Sequence, residues 1–144
     1  MGRRTFDQVA AFDSWPYEGK RVVVLSGRPI EDGPEGVSVS AEPVETLTAR
    51  LRAFDDGDIW LCGGGDVIAQ FFRHDLIDRL ELFLIPVMLG EGVALFPEGT
   101  WRPLFTLQGA QAYDSGVAGL SYLRARDEGP RIARPIEEPD EPII

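Results

Sequence analysis

Three consecutive glycines, Gly63, Gly64 and Gly65, separate an apolar run at 58–62 from a segment whose apolar residues recur at helical spacing. Val67, Ile68, Phe71 and Phe72 make that helical face, and Arg73 and His74 sit near its C-terminal end, where cations complement the helix dipole. An extended run leading directly into an amphipathic helix is the building unit of α/β folds. Glycine lets the main chain approach a ligand closely, because no Cβ intervenes. The helix behind it points free N–H groups and the positive end of its dipole at the same spot, which suits a pyrophosphate. The pattern is not G-x-G-x-x-G, since Ile68 stands where the third glycine belongs, and no Lys followed by Ser or Thr makes it a P-loop. Taken alone, the stretch fits a tight turn using glycine for geometry equally well.

The rest of the chain alternates in the same way. Residues 21–26 form a β-branched run that reads as a buried strand, and 37–40 reads as a short edge strand. Val44, Leu47, Leu51 and Phe54 place one apolar stripe on a helix over 43–54, with Pro43 suited to its first turn. The longest strand expected is 78–86, with Leu80, Leu82 and Leu84 on one face and Phe83 and Ile85 on the other, so that both faces are covered. Residues 101–111 and 116–126 read as an antiparallel pair. The sum is an α/β sheet with an antiparallel extension. The proline-rich, acidic residues 127–144 read as a disordered or surface-bound tail.

A chain of 144 residues makes one domain, here assigned to 1–126. No apolar stretch approaches the roughly 20 residues that cross a bilayer, and no apolar core follows the N-terminus as in a signal peptide. A single cysteine excludes an internal disulfide, and a single histidine leaves no Cys/His metal cluster. The expected location is the cytoplasm. A net charge of −10, from 14 basic and 24 acidic residues, disfavours nucleic acid as a partner while leaving room for a small phosphorylated ligand.

Two further motifs could meet phosphate. Gly2-Arg3-Arg4-Thr5 precedes a short helical pattern with Phe6, Val9 and Ala10, which makes Thr5 a candidate N-cap and the arginines candidate anion ligands. Leu25-Ser26-Gly27-Arg28 brings a hydroxyl and a guanidinium together where a strand ends. Each alone is more often a solvated arginine beside a turn. His74 is explained by the helix end, Cys62 by a small buried strand position, and Asp55 and Asp56 by solvation.

In order and spacing, Met1-Gly2-Arg3-Arg4-Thr5-Phe6, Val22-Val23-Val24-Leu25-Ser26, Leu61-Cys62-Gly63-Gly64-Gly65-Asp66-Val67, Asp78-Arg79-Leu80-Glu81-Leu82, Pro86-Val87-Met88-Leu89-Gly90-Glu91-Gly92 and Leu95-Phe96-Pro97 resemble the dihydrofolate-reductase-like family. The nearest branch resembles the C-terminal reductase domain of the riboflavin-pathway deaminase/reductase. The resemblance implies a three-layer α/β fold with a mostly parallel central sheet and an antiparallel C-terminal strand pair. It implies NADPH as cofactor, held by Gly2, Arg3, Arg4 and Thr5 at one helix start and by Gly63, Gly64, Gly65, Asp66 and Val67 at the pyrophosphate turn. Leu25, Ser26 and Arg28 fall beside the adenosine, with Ser26 and Arg28 near its 2′-phosphate.

The resemblance also implies a substrate that is a pterin-like or pyrimidine heterocycle, reduced by hydride transfer, and a strand pair often used in homodimers. Family members carry two further strands before the Met-Gly-Arg motif, one on each side of the strand expected at 59–62. This chain starts at that methionine, so the favoured expectation is that Met1 is internal to a longer protein. The alternatives are a short chain that repacks, borrows strands from a partner, or persists as a non-catalytic nucleotide-binding or dimer-forming remnant. No catalytic acid is named by the residues present.

Overall fold

Valine and leucine at 22–25 favour a pleated, covered strand, and a computed structural model of the chain, which describes residues 1–54, 57–96 and 103–126, places β1 at Val22–Leu25. It pairs in parallel with β2, Val37–Ser40, in the register Val22↔Val37 to Leu25↔Ser40. Three helices accompany this pair: α1 Arg3–Ala10, α2 Val44–Arg52 and α3 Gly65–Arg73. Side chains of a strand alternate between its faces. Val22 and Val24 accordingly join Met1 and Phe6 of the α1 side, while Leu25 packs with Val44, Val67 and Phe71 of α2 and α3. Helices on both faces of a parallel pair make the three layers expected from the sequence.

The second sheet is antiparallel. Its strands β3 Arg79–Leu84, β4 Phe105–Ala112 and β5 Ala118–Arg124 lie in the order β3-β5-β4. The parallel and antiparallel parts that the sequence implies are thus both present, as two separate sheets. An ion-pair network beside the start of β3 links the antiparallel sheet to the helical half. Asp75, just past α3, takes Arg124 Nε at 2.7 Å, while Asp78 takes Arg126 Nη2 and Arg52 Nη2 at 2.6 Å each. The Phe72 ring meets Phe105 edge-on at 6.4 Å between centroids.

Several expectations need correction. No strand forms at 58–62; among the described residues its main chain makes no backbone hydrogen bond, and Trp60 is 74% exposed. A sequence can favour an extended chain, but a strand exists only where a neighbour supplies the ladder. The helix over 43–54 is shorter, because Pro43 is its N-cap and Ala53 its C-cap. Phe54 lies beyond it, half exposed, with the Arg21 guanidinium 4.1 Å above its ring. The strand expected over 78–86 spans only Arg79–Leu84, and among the described residues its second face is open: Phe83 lies against Gly119 and is 60% exposed. The expected tail at 127–144, like Asp55 and Asp56, lies outside the described residues.

One glycine is dictated by the fold. Gly36 has φ +82°, and a Cβ there would stand 2.6 Å from the Lys20 carbonyl oxygen, while its own carbonyl accepts the Val22 amide that opens β1. Left-handed strain and a backbone clash add, so Gly36→Ala should lower stability by about 2–4 kcal/mol. A fall in the urea midpoint with an unchanged slope would show it; an unchanged midpoint would mean this turn is not formed as described.

Candidate functional site

The three motifs converge on Gly2. Its amide donates to the Gly63 carbonyl at 2.8 Å, and on its other side it bridges to Leu25, whose amide donates to the Met1 carbonyl at 2.9 Å. A Cβ on Gly2 would come within 2.9 Å of Val67 Cγ2, and one on Gly64 within 3.2 Å of Thr5 Oγ1. Small residues therefore let the starts of α1 and α3 approach each other.

Both helices begin without a side-chain cap. Their N-caps are Gly2 and Gly64; Thr5 lies inside α1, so the expectation that Thr5 caps the helix is corrected. The first helical bonds run from Phe6 N to Gly2 O, and from Val67 N and Ile68 N to Gly64 O. The amides of Arg3, Arg4, Thr5, Gly65 and Asp66 consequently have no partner among the described residues. Two positive helix ends carrying five unpaired donors suit a group with two linked negative phosphates. Among the described residues nothing stands within 4 Å of a Cβ built on Gly65, so they leave the mouth of this cradle open. Asp66 sits exposed in the first turn of α3, where the dipole favours its charge but a phosphate does not.

Ser26 and Arg28 stand at the carboxyl end of β1, the side of an open parallel sheet where ligands bind. The Ser26 hydroxyl donates to the Arg28 carbonyl and accepts the Arg28 amide, both at 3.0 Å, while the Arg28 side chain is exposed and has no partner among the described residues. Arg4 is likewise exposed and unpartnered among them; Arg3 instead holds Asp7 and the Pro29 carbonyl.

Neighbours that the sequence did not flag also border the site. Ser40 ends β2 beside Ser26, whose amide donates to the Ser40 carbonyl at 3.0 Å. Ser40 Oγ and Arg50 Nη2 reach Glu42 Oε1 at 2.8 and 2.6 Å, and these bonds, Arg50's first, hold the Glu42 carboxyl below the usual carboxylate range. Only the parallel register places Ser40 there, which a reading of 37–40 by itself does not contain. Cys62, expected to be a buried strand residue, is half-buried and bonded to Tyr17 Oη at 3.1 Å. That bond, with burial and the charge of the sulfur, pushes the Tyr17 pKa up to about 12. His74 at the end of α3 has its Nδ1 2.6 Å from Glu45 of α2, remote in role from the cradle. Among the described residues no helix is long and apolar enough to cross a membrane, and no group of His, Cys, Asp and Glu is placed to hold a metal.

Fold and site define an α/β domain with paired helix starts open to an anion. Its residues 17–118 match the RibD C-terminal domain family, and the chain belongs to that family. It is 33% identical over 126 residues to the uncharacterized protein YwjB of Bacillus subtilis, which spans 87% of this chain and 72% of YwjB. Among solved structures it is similar to a putative riboflavin biosynthesis protein from Shewanella sp. PV-4, with 33% identity, a TM-score of 0.76, and coverage of 88% of this chain and 72% of that one. A pyrimidine reductase-like protein from Corynebacterium diphtheriae shares the fold at 20% identity and a TM-score of 0.56, over 73% of this chain and 50% of that one. The chain thus belongs with the RibD C-terminal domains, in the mixed α/β fold that the sequence implied.

Proposed function

We propose that this chain binds NADPH and serves a reductase of a small heterocycle, of the pterin or pyrimidine class, similar to 5-amino-6-(5-phosphoribosylamino)uracil reductase. The five unpaired amides at the facing starts of α1 and α3 carry this reading. The pyrophosphate would lie between Gly2–Thr5 and Gly63–Val67, with the adenosine toward Leu25, Ser26 and Arg28 at the carboxyl end of β1. When bound, the cofactor supplies the hydride; the protein contributes orientation and electrostatics. Arg4 and Arg28 bring charge to phosphate oxygens, and the glycines keep Cβ atoms out of the path of the main-chain donors. A cytoplasmic homodimer completes the reading.

The test is a fluorescence titration with NADPH and NADH. A guanidinium–phosphate contact contributes about 1.5–3 kcal/mol, so Arg28→Ala should weaken NADPH roughly tenfold to a hundredfold and leave NADH nearly unchanged. Equal loss for both dinucleotides would remove Arg28 from the 2′-phosphate. A second reading, a nucleotide-binding or dimer-forming chain without turnover, is favoured by segment 58–62, which has no strand partner among the described residues, and by its exposed Trp60. Saturable NADPH binding with no oxidation across a panel of pterins and pyrimidines would support it.

A further inference from the structure

Of the four side chains Arg3, Arg4, Ser26 and Arg28 that the resemblance assigns to phosphate groups, two are already committed to the protein. Arg3 Nε donates to Asp7 Oδ1 at 2.8 Å, and Arg3 Nη1 donates to the Pro29 carbonyl at 3.0 Å. A guanidinium is planar, so holding two of its edges fixes its direction. Asp7 also cancels its charge locally, which leaves little net attraction for a phosphate. The Ser26 hydroxyl has one hydrogen, and it goes to the Arg28 carbonyl. Arg4 and Arg28 carry guanidinium groups without a partner among the described residues.

We infer that Arg3 and Ser26 are positioning residues that fix where Arg28 leaves the main chain, and that Arg28 delivers the charge to the 2′-phosphate. This rests on the proposed NADPH site. Arg28 is gripped from both sides in sequence: Ser26 closes a turn on its amide and carbonyl, and Arg3 ties the next residue, Pro29, to the start of α1. Packing does not do this job at the loop's crest. Residues 27–29 are exposed, and the chain that follows them lines a groove of about 470 Å³ together with Arg3, Phe6 and Ala10. An exposed Arg–Asp pair one helical turn apart adds little to stability by itself. Its consequence is directional: with Asp7 holding one edge, the other edge of Arg3 is presented to Pro29.

A double-mutant cycle separates a strut from a ligand, because two contacts made independently with a phosphate add and a residue acting through another does not. Arg28→Ala should reduce the ratio of NADPH to NADH affinity about tenfold or more, and Arg3→Ala about three- to tenfold. The double variant should lose no more than Arg28→Ala alone. Asp7→Asn, which keeps the arginine, should reproduce part of the Arg3→Ala loss. Without any dinucleotide, hydrogen exchange of the Arg28 amide, which donates to Ser26 Oγ, should quicken in Arg3→Ala and stay unchanged in Arg4→Ala. Additive losses in the double variant would make Arg3 a phosphate ligand and overturn the inference, as would unaltered exchange of the Arg28 amide. If the unsubstituted protein binds neither dinucleotide, the cofactor reading fails, and the exchange experiment still decides whether Arg3 is the strut.

Discussion

Gly63→Ala should abolish most dinucleotide binding while leaving a folded, less stable protein. Gly63 has φ +95°, a conformation that L side chains rarely adopt, and its carbonyl accepts the Gly2 amide that joins the two helix starts. Forcing alanine there costs about 1–3 kcal/mol of backbone strain. A shift of the Gly63 backbone that relieved this strain would break the bond to Gly2 and separate the amides of Arg3–Thr5 from those of Gly65 and Asp66. Loss of one cradle half should weaken NADPH roughly a hundredfold, with NADH weakened equally because both share the pyrophosphate. A calorimetric titration checks this. Unchanged affinity would mean that the junction after 58–62 is a turn using glycine for geometry alone.

The largest effect on stability should come from Leu47→Ala. Leu47 is 1% exposed and sits on the inward stripe of α2, between Val44 and Leu51. Removing three buried carbons from such a site lowers unfolding free energy by about 2–5 kcal/mol, according to how far the neighbours collapse into the space. Chemical denaturation would show it as a lower midpoint. Leu47 is remote in role from the phosphates, so the folded fraction should keep its NADPH affinity. A drop below about 1 kcal/mol would place α2 outside the core.

These two substitutions also mark what could be read from the sequence. The Leu47 stripe follows from 3.6-residue periodicity, and β1 from its valines, because burial of a face is written into spacing. The glycine junction and the two arginine motifs were visible for the same reason: each is contiguous. Pairing is not contiguous. The run at 58–62 has strand-like residues, yet no ladder forms there among the described residues, and nothing in its own five residues says so. Phe83 alternates as a covered strand residue should, but among the described residues no layer covers its face. Ser40 escaped notice because the parallel register, not its local sequence, sets it beside Ser26, with Glu42 bonded to it in turn. Arg3 and Arg4 are neighbours of the same chemical type. Only the roughly 100° turn between successive helical residues, implied by 3.6 residues per turn, sends one toward Asp7 and Pro29 and leaves the other in solvent.

The central claim is that the facing starts of α1 and α3 hold the pyrophosphate of NADPH. Backbone amide chemical shifts followed by NMR during addition of NADP⁺ test it most directly. The claim predicts saturable shifts at Arg3, Arg4, Thr5, Gly64, Gly65 and Asp66, smaller ones at Ser26 and Arg28, and none along β4. Saturation without movement of the amides at either helix start, or no saturable shift at all, would contradict it.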